Sequence, residues 1–347
     1  MLKIDVIPYE LNFKIPAGTS RGVLNNKLSY IIRLEENGVV GYGEAGPLPK
    51  LSVDFGIDFK SLVEEKIKKG ITLEELKTMT FFLSSMPSLK FAFESAILDL
   101  ESGGTQALFD TPFVNRNEGI RINGLIWMGD VDFMLSQIKS KLDSGFSCLK
   151  MKIGAIDFEL ELSILKKIRS QFNEQDLELR VDANGAFSID QAGSKLERLS
   201  KFNLHSIEQP IKQGQVESMA LLCNSSPVPI ALDEELIGVV NKQALIEDIK
   251  PQYIILKPTL VGGFQSCNEW IQVANSQKIS WWITSALESN IGLNAIAQYT
   301  SQFDLKMPQG LGTGSLFTNN IKSPLQIEGE SLFYLRDSQD WGLDRLP

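Results

Sequence analysis

The sequence predicts an α/β protein, a closed barrel of parallel strands with a separate α+β region. Three observations predict it. After about residue 120, short apolar strands alternate with longer amphipathic segments, the pattern of βαβ units. About eight such strands over roughly 190 residues suit a closed barrel better than an open sheet. Before about residue 115 that alternation is missing, so the first third builds something else.

The first region contains a hairpin. Leu28–Leu34 reads as a strand, Glu36-Asn37-Gly38 as a turn and Val39–Glu44 as the return. Helical patterns follow at Phe59–Lys69, Leu73–Met79 and Leu89–Leu100, the last with Leu89, Ala92, Phe93, Ala96, Ile97 and Leu100 on one face. The barrel strands are expected at Arg121–Ile126, Cys148–Ile153, Glu178–Asp182, Leu204–Glu208, Pro229–Asp233, Tyr253–Lys257, Ser280–Ser285 and Lys306–Gln309. Helices between them are expected at Phe158–Phe172, Ile189–Phe202, Val216–Cys223, Lys242–Ile249, Phe264–Ser276 and Ile291–Ser301. A hairpin around Glu328-Gly329-Glu330 closes the chain and is expected to return to the first region.

Composition narrows the chemistry. The 34 Lys and Arg against 43 Asp and Glu give a net charge of −9, which argues against nucleic acid as a partner. A single histidine, His205, makes zinc and imidazole-triad chemistry poor readings. Its strand position, three before Glu208, sets it on the opposite face, toward a helix. Three widely spaced cysteines suit a reducing compartment. With no apolar run of about 18 residues and no leader pattern, no membrane partner and a cytoplasmic location are expected.

Ionisable residues stand at the C-terminal ends of five successive strands: Lys150 and Lys152, then Asp182, Glu208, Asp233 and Lys257. The steps between them, 24 to 30 residues, are each one βα unit. Active sites of barrels form at that face. Lys150 and Lys152 are two apart and point to one side. Any one of these charges alone reads most simply as a solvated loop residue or ion pair; six at matching strand ends read as one site. Three carboxylates are hard ligands that favour Mg2+, with Mn2+ as the alternative. With lysines on both sides, the arrangement suits removal of a proton beside a substrate carboxylate.

Lys150-Met151-Lys152, Val181-Asp182-Ala183-Asn184-Gly185-Ala186, Ile207-Glu208-Gln209-Pro210, Leu232-Asp233-Glu234 and Leu256-Lys257-Pro258 resemble the motifs of the enolase superfamily, in its muconate lactonizing subgroup. The resemblance covers nearly the whole chain. It implies a modified TIM (β/α)7β barrel at 117–314 and a discontinuous α+β capping domain at 1–116, completed by 315–347. Gly18–Leu24 and Gly310–Asn320 resemble, more narrowly, the o-succinylbenzoate synthase family of menaquinone biosynthesis. That resemblance implies dehydration of a succinyl-hydroxycyclohexadiene carboxylate, a small dicarboxylate, to an aromatic product. Lys152 would be the base, Lys257 a cation across the ring, and Lys150 a partner of the carboxylate or of Lys152. Asp182, Glu208 and Asp233 would bind Mg2+. Racemisation of N-acylamino acids or epimerisation of dipeptides within the same subgroup is the alternative. An Asp-x-Asp motif for a dipeptide amine is absent from Gly310–Ser315.

Secondary candidates follow. Gly41-Tyr42-Gly43-Glu44-Ala45-Gly46 fits a dinucleotide fingerprint, but Pro47 and Pro49 take the place of the required helix, so an active-site loop is the favoured reading. Ile15–Gly22 is a candidate lid, with Arg21 facing a substrate carboxylate. Ser285, Gly312 and Thr313 are candidate substrate contacts. Glu288 reads as a helix-start carboxylate and Glu234 as a support for the metal ligands.

Overall fold

The computed structural model describes residues 2–19, 22–67, 70–81, 83–116, 118–335, 341–343 and 346. Arg21 lies outside them. Strands β1 (Lys3–Thr19), β2 (Gly22–Glu36) and β3 (Val39–Ala45) form an antiparallel sheet in that order. Asn37 and Gly38 both take positive φ, the backbone a tight two-residue hairpin demands. No strand is expected from the sequence over Lys3–Thr19, and Pro8 and Pro16 stand within β1. Both prolines are tolerated because β1 is an edge strand. The candidate lid at 15–19 is the end of this strand, and Ala17 pairs with Leu24 after a register shift.

Helices α1 (Phe59–Lys66), α2 (Leu73–Thr80) and α3 (Pro87–Glu101) cover the sheet. Asp58 caps α1, and Thr72 with Glu75 forms a capping box on α2. The Gly41-Tyr42-Gly43 run is not an active-site loop. A Cβ at Gly41 would lie 2.3 Å from Ala96 O, and one at Gly43 2.0 Å from Ala92 O. These glycines let β3 and α3 touch backbone to backbone.

After α4 (Pro112–Asn115) and β4 (Ile120–Arg121) comes the barrel. It alternates β5 (Gly124–Ile126), α5 (Val131–Asp143), β6 (Cys148–Lys152), α6 (Phe158–Arg169), β7 (Glu178–Asp182), α7 (Ile189–Leu199), β8 (Ser206–Glu208), α8 (Val216–Ser225), β9 (Ile230–Leu232) and α9 (Lys242–Ile249). It continues through β10 (Tyr253–Leu256), α10 (Pro258–Val261), α11 (Gly263–Ser276), β11 (Ser280–Ile283) and α12 (Asn290–Thr300). The seven strands β5 to β11 pair in sequence order, all parallel. Apolar faces of the helices bury Leu162, Leu165, Leu196, Met219, Ile246 and Trp270 against the strands.

The eighth strand expected at Lys306–Gln309 is reduced to two bridges, Gln309 with Ile122 and Gly310 with Thr284. Pro308 has no N–H to pair. Gln309 compensates with its side chain, whose Oε1 accepts the Ile283 N–H at 2.8 Å. This short stave closes the barrel between β11 and the segment leading to β5. The final hairpin, β12 (Leu325–Glu328) and β13 (Ser331–Tyr334), pairs with β4. Just before it, the Thr318 N–H donates to Asn12 O and Phe13 bridges Phe317, so this segment joins β1.

His205 does not face a helix. It precedes the first paired residue of β8, so strand parity does not bind it. Its ring lies 4.8 Å from that of Tyr253, with Trp282 beside both. Burial pushes its pKa down from 6.5 to about 4, against the pull of Glu178. The native imidazole is thus neutral where the unfolded one binds a proton. Stability from this group is present above pH 6.5 and is lost as pH falls toward 4. The loss is about 2–3 kcal/mol by linkage, reduced for partial exposure. Urea unfolding at pH 7 and at pH 4 checks it: His205→Gln is expected to lose less stability over that interval than the unaltered chain. Equal losses would contradict it.

Candidate functional site

Parallel register sets the strand-end residues in a row. Lys152 of β6 pairs with Asp182 of β7, and Asp182 pairs with Glu208 of β8. Asp233 and Lys257 follow directly after β9 and β10. All six side chains are at most 10% exposed. The structure therefore brings together every residue of the strand-end set.

Lysines bridge the carboxylates pairwise. Lys150 Nζ is 2.9 Å from Asp182 Oδ2 and also contacts Glu208 Oε2. Lys152 Nζ is 2.5 Å from Asp182 Oδ2. Lys257 Nζ contacts Asp233 Oδ2 and lies 3.6 Å from Glu208 Oε1. Among the described residues no three acidic side chains already form a closed cation cage, because these ammonium groups stand between them.

The electrostatics follow from burial and from who faces whom. Burial would raise Asp182, but Lys150 and Lys152 hold it well below the usual carboxylate range. Asp233 is lowered in the same way, burial being outweighed by Lys257. Glu208 goes the other way: burial and the negative charge of Asp182 push it up. Burial pulls Lys152 down, only partly opposed by Asp182. It acts on Lys257 too, but Asp233 and Glu208 together raise that group. Glu208 is thus a buried acid between two others; its Oε2 contacts the Lys150 ammonium and its Oε1 lies 3.6 Å from that of Lys257. Carboxylate oxygens are the hard donors that a divalent cation takes, so the chemistry of Asp182, Glu208 and Asp233 suits Mg2+.

The residues that hold this row were less visible in the sequence. Asn184, at positive φ, accepts the Lys152 ammonium at 2.9 Å and donates to Glu234 Oε1 at 3.0 Å. Gln209, also at positive φ, accepts from the N–H groups of Asp233 and Glu235, fixing the turn after β9. In the sequence both stand inside the motifs that carry the resemblance, one or two residues after a charged strand tip, but nothing there marks their supporting contacts. Glu234 supports Asn184, in keeping with a supporting role.

A pocket of about 80 Å³ opens over the lysines. Leu48, Leu51 and Leu287 line it, with Trp127, Leu125 and Leu260. Of the candidate contacts, Ser285, Gly312 and Thr313 also line it, and the Ser285 and Thr313 hydroxyls are 2.6 Å apart. The wall is anchored to the first region. Glu44 at the end of β3 accepts the Ser289 N–H at 2.9 Å and the Gly292 N–H at 3.0 Å, capping α12. Glu288, expected from the sequence as a helix-start carboxylate, is not that cap. It accepts from Ala286 N–H at 2.6 Å and from the Thr259 hydroxyl, beside buried Lys27.

Residues 134–331 match the family described as enolase C-terminal domain-like. The chain belongs to the enolase superfamily. It is 49% identical, over 92% of its length and 95% of the other's, to the o-succinylbenzoate synthase of Desulfotalea psychrophila. The crystal structure of MenC from Desulfotalea psychrophila LSv54 superposes with a TM-score of 0.85 at 43% identity, covering 96% of this chain and 99% of that one. The muconate lactonizing enzyme from Pseudomonas fluorescens matches with a TM-score of 0.84 at 22% identity, covering 95% and 93%, a likeness of fold. The superfamily is metal-dependent.

Asn184 is expected to act through Lys152. Asn184→Leu removes the acceptor and should lower kcat roughly tenfold, the scale of a lost hydrogen bond to a charged group. KM should change little. Steady-state kinetics check this, and an unchanged kcat would contradict it.

Proposed function

We propose that the chain is an o-succinylbenzoate synthase, a carbon–oxygen lyase that dehydrates a succinyl-hydroxycyclohexadiene carboxylate to an aromatic product. End-to-end likeness to the Desulfotalea psychrophila enzyme carries the assignment. The lysine and carboxylate row supplies a chemistry for it.

Lys152 takes the proton from the ring carbon beside the substrate carboxylate. The electron pair of that C–H bond moves into the carboxylate, giving an enediolate. Its collapse expels the ring hydroxyl, which leaves as water with the proton that Lys152 returns. Lys257, on β10 across the barrel from β6, presents a positive charge to the ring and enediolate. Lys150 pairs with the acids beneath. Asp182, Glu208 and Asp233 would hold Mg2+, which when bound supplies positive charge against the substrate carboxylate. Formation of the aromatic ring makes elimination downhill, so the protein has one charge to stabilise and one proton to move. Leu48, Leu51 and Leu287 keep water from the base.

A second reading rests on the lysines at both sides of the pocket. Lys152 and Lys257 could exchange the alpha proton of an N-acylamino acid from opposite faces, giving racemisation. The absence of an acid in Gly310–Ser315 disfavours dipeptides. We place the enzyme in the cytoplasm, where its three buried free cysteines stay reduced.

Two measurements test the assignment. Loss of the cyclohexadiene chromophore should require Lys152, and Lys152→Ala should slow it on the order of 100- to 10,000-fold. Chelation should abolish turnover and Mg2+ should restore it. Full activity in either case would overturn the assigned chemistry. Racemisation of N-succinylamino acids without dehydration would select the second reading.

A further inference from the structure

The ring of strand ends divides into two arcs. Lysines and acids occupy β6 to β10. The remaining arc is uncharged: Thr284 after β11, the closing stave Gln309–Gly310, and Asn123 before β5. This arc lines the pocket through Asn123, Thr284 and Gly310.

Among the described residues, two polar atoms in it have no hydrogen-bond partner. Asn123 is 4% exposed and its Oδ1 is buried without a hydrogen bond. Thr284 is 9% exposed and its Oγ1 is likewise unpaired. A buried polar group left alone costs about 1–3 kcal/mol, so such atoms need an explanation. Their backbones are satisfied: the Asn123 N–H donates to Gln309 O at 2.9 Å and the Thr284 N–H to Leu256 O at 2.9 Å. The two residues flank the closing stave, and glycine leaves that stave bare. A Cβ at Gly310 would lie 2.3 Å from Thr284 Oγ1 and would cover it. Both residues line the pocket on the wall away from the charged arc.

We infer that Asn123 and Thr284 form the subsite that receives the side-chain ketone oxygen of the substrate, and so select a ring bearing a carbonyl arm. The inference rests on the lyase reading above. A ketone is uncharged and accepts hydrogen bonds, which suits a wall with an amide and a hydroxyl and no ion. With the ring carboxylate on the charged arc, the arm extends toward the neutral one. Thr284 donates its hydroxyl, and Asn123 turns its amide to donate as well. A pocket whose polar groups are satisfied only by the right ligand rejects one that lacks the partner atom.

The test compares binding of o-succinylbenzoate with binding of its deoxy analogue, in which the ketone is a methylene, by calorimetry on the Mg2+-loaded enzyme. The unaltered protein should favour the ketone by roughly tenfold or more, the scale of one or two hydrogen bonds. Thr284→Val keeps the shape beside Gly310, and Asn123→Ala empties the amide position. Each should weaken the ketone ligand and leave the deoxy ligand unchanged, so that the preference collapses. Thr284→Ser should restore it. Equal weakening of both ligands, or a preference retained in both variants, would overturn the inference. If Asn123→Ala fails to fold, the Thr284 pair decides alone. Failure of the unaltered enzyme to dehydrate the cyclohexadiene would instead defeat the lyase reading, an outcome separate from the binding comparison.

Discussion

Burial of six ionisable side chains at one end of an otherwise apolar barrel is the constraint to which the rest of the site answers. Charges removed from water must be paired, and removing one partner leaves the other stranded. Here the parallel register does the pairing. Lys152, Asp182 and Glu208 are cross-strand neighbours, and Lys257 reaches Asp233 from the next strand. The same pairing holds the base where its substrate would arrive. Supports such as Asn184 and Gln209 extend it into the turns, which explains why both accept left-handed backbone.

That constraint also divides the labour around the barrel. One arc holds the charge that the proposed proton transfer would use. The opposite arc, with Thr284, Gly310 and Asn123, carries none and borders the pocket where a side chain of the substrate would lie. Under the proposed subsite, changes in the neutral arc would alter what is accepted without disturbing the paired charges.

The strand ends were legible because a charged residue closing an apolar strand is costly and stands out, and because one βα unit separates each from the next. Cys148–Lys152 and Glu178–Asp182 needed little beyond alternation and length. Other parts were obscured for physical reasons. Pro8 and Pro16 hid β1, since an edge strand tolerates what a central one does not. Pro308 and a compensating Gln309 side chain reduced the last stave, expected at Lys306–Gln309, to two bridges. His205 escaped the parity rule by preceding its strand. Gly41 and Gly43 looked like a loop, yet their purpose is contact with α3, which lies about fifty residues further along the chain. Asn123 and Thr284 carry no sequence signal, because what marks them is the lack of a partner in three dimensions.

Glu44 has a wider consequence. It belongs to the antiparallel sheet, yet it satisfies the first N–H groups of a barrel helix and thereby anchors the loop bearing Ser285 and Leu287. The two regions are not interchangeable parts. A chimera that exchanged the N-terminal region with that of a distant relative would keep the charged row intact, but the Ser289 and Gly292 N–H groups would lose their carboxylate, leaving Ser289 and Asn320 to cap the helix. Modularity in this fold is limited by carboxylates at the seam: Glu44 at α12 and Glu94 of α3, which accepts the Phe264 and Gln265 N–H groups of α11.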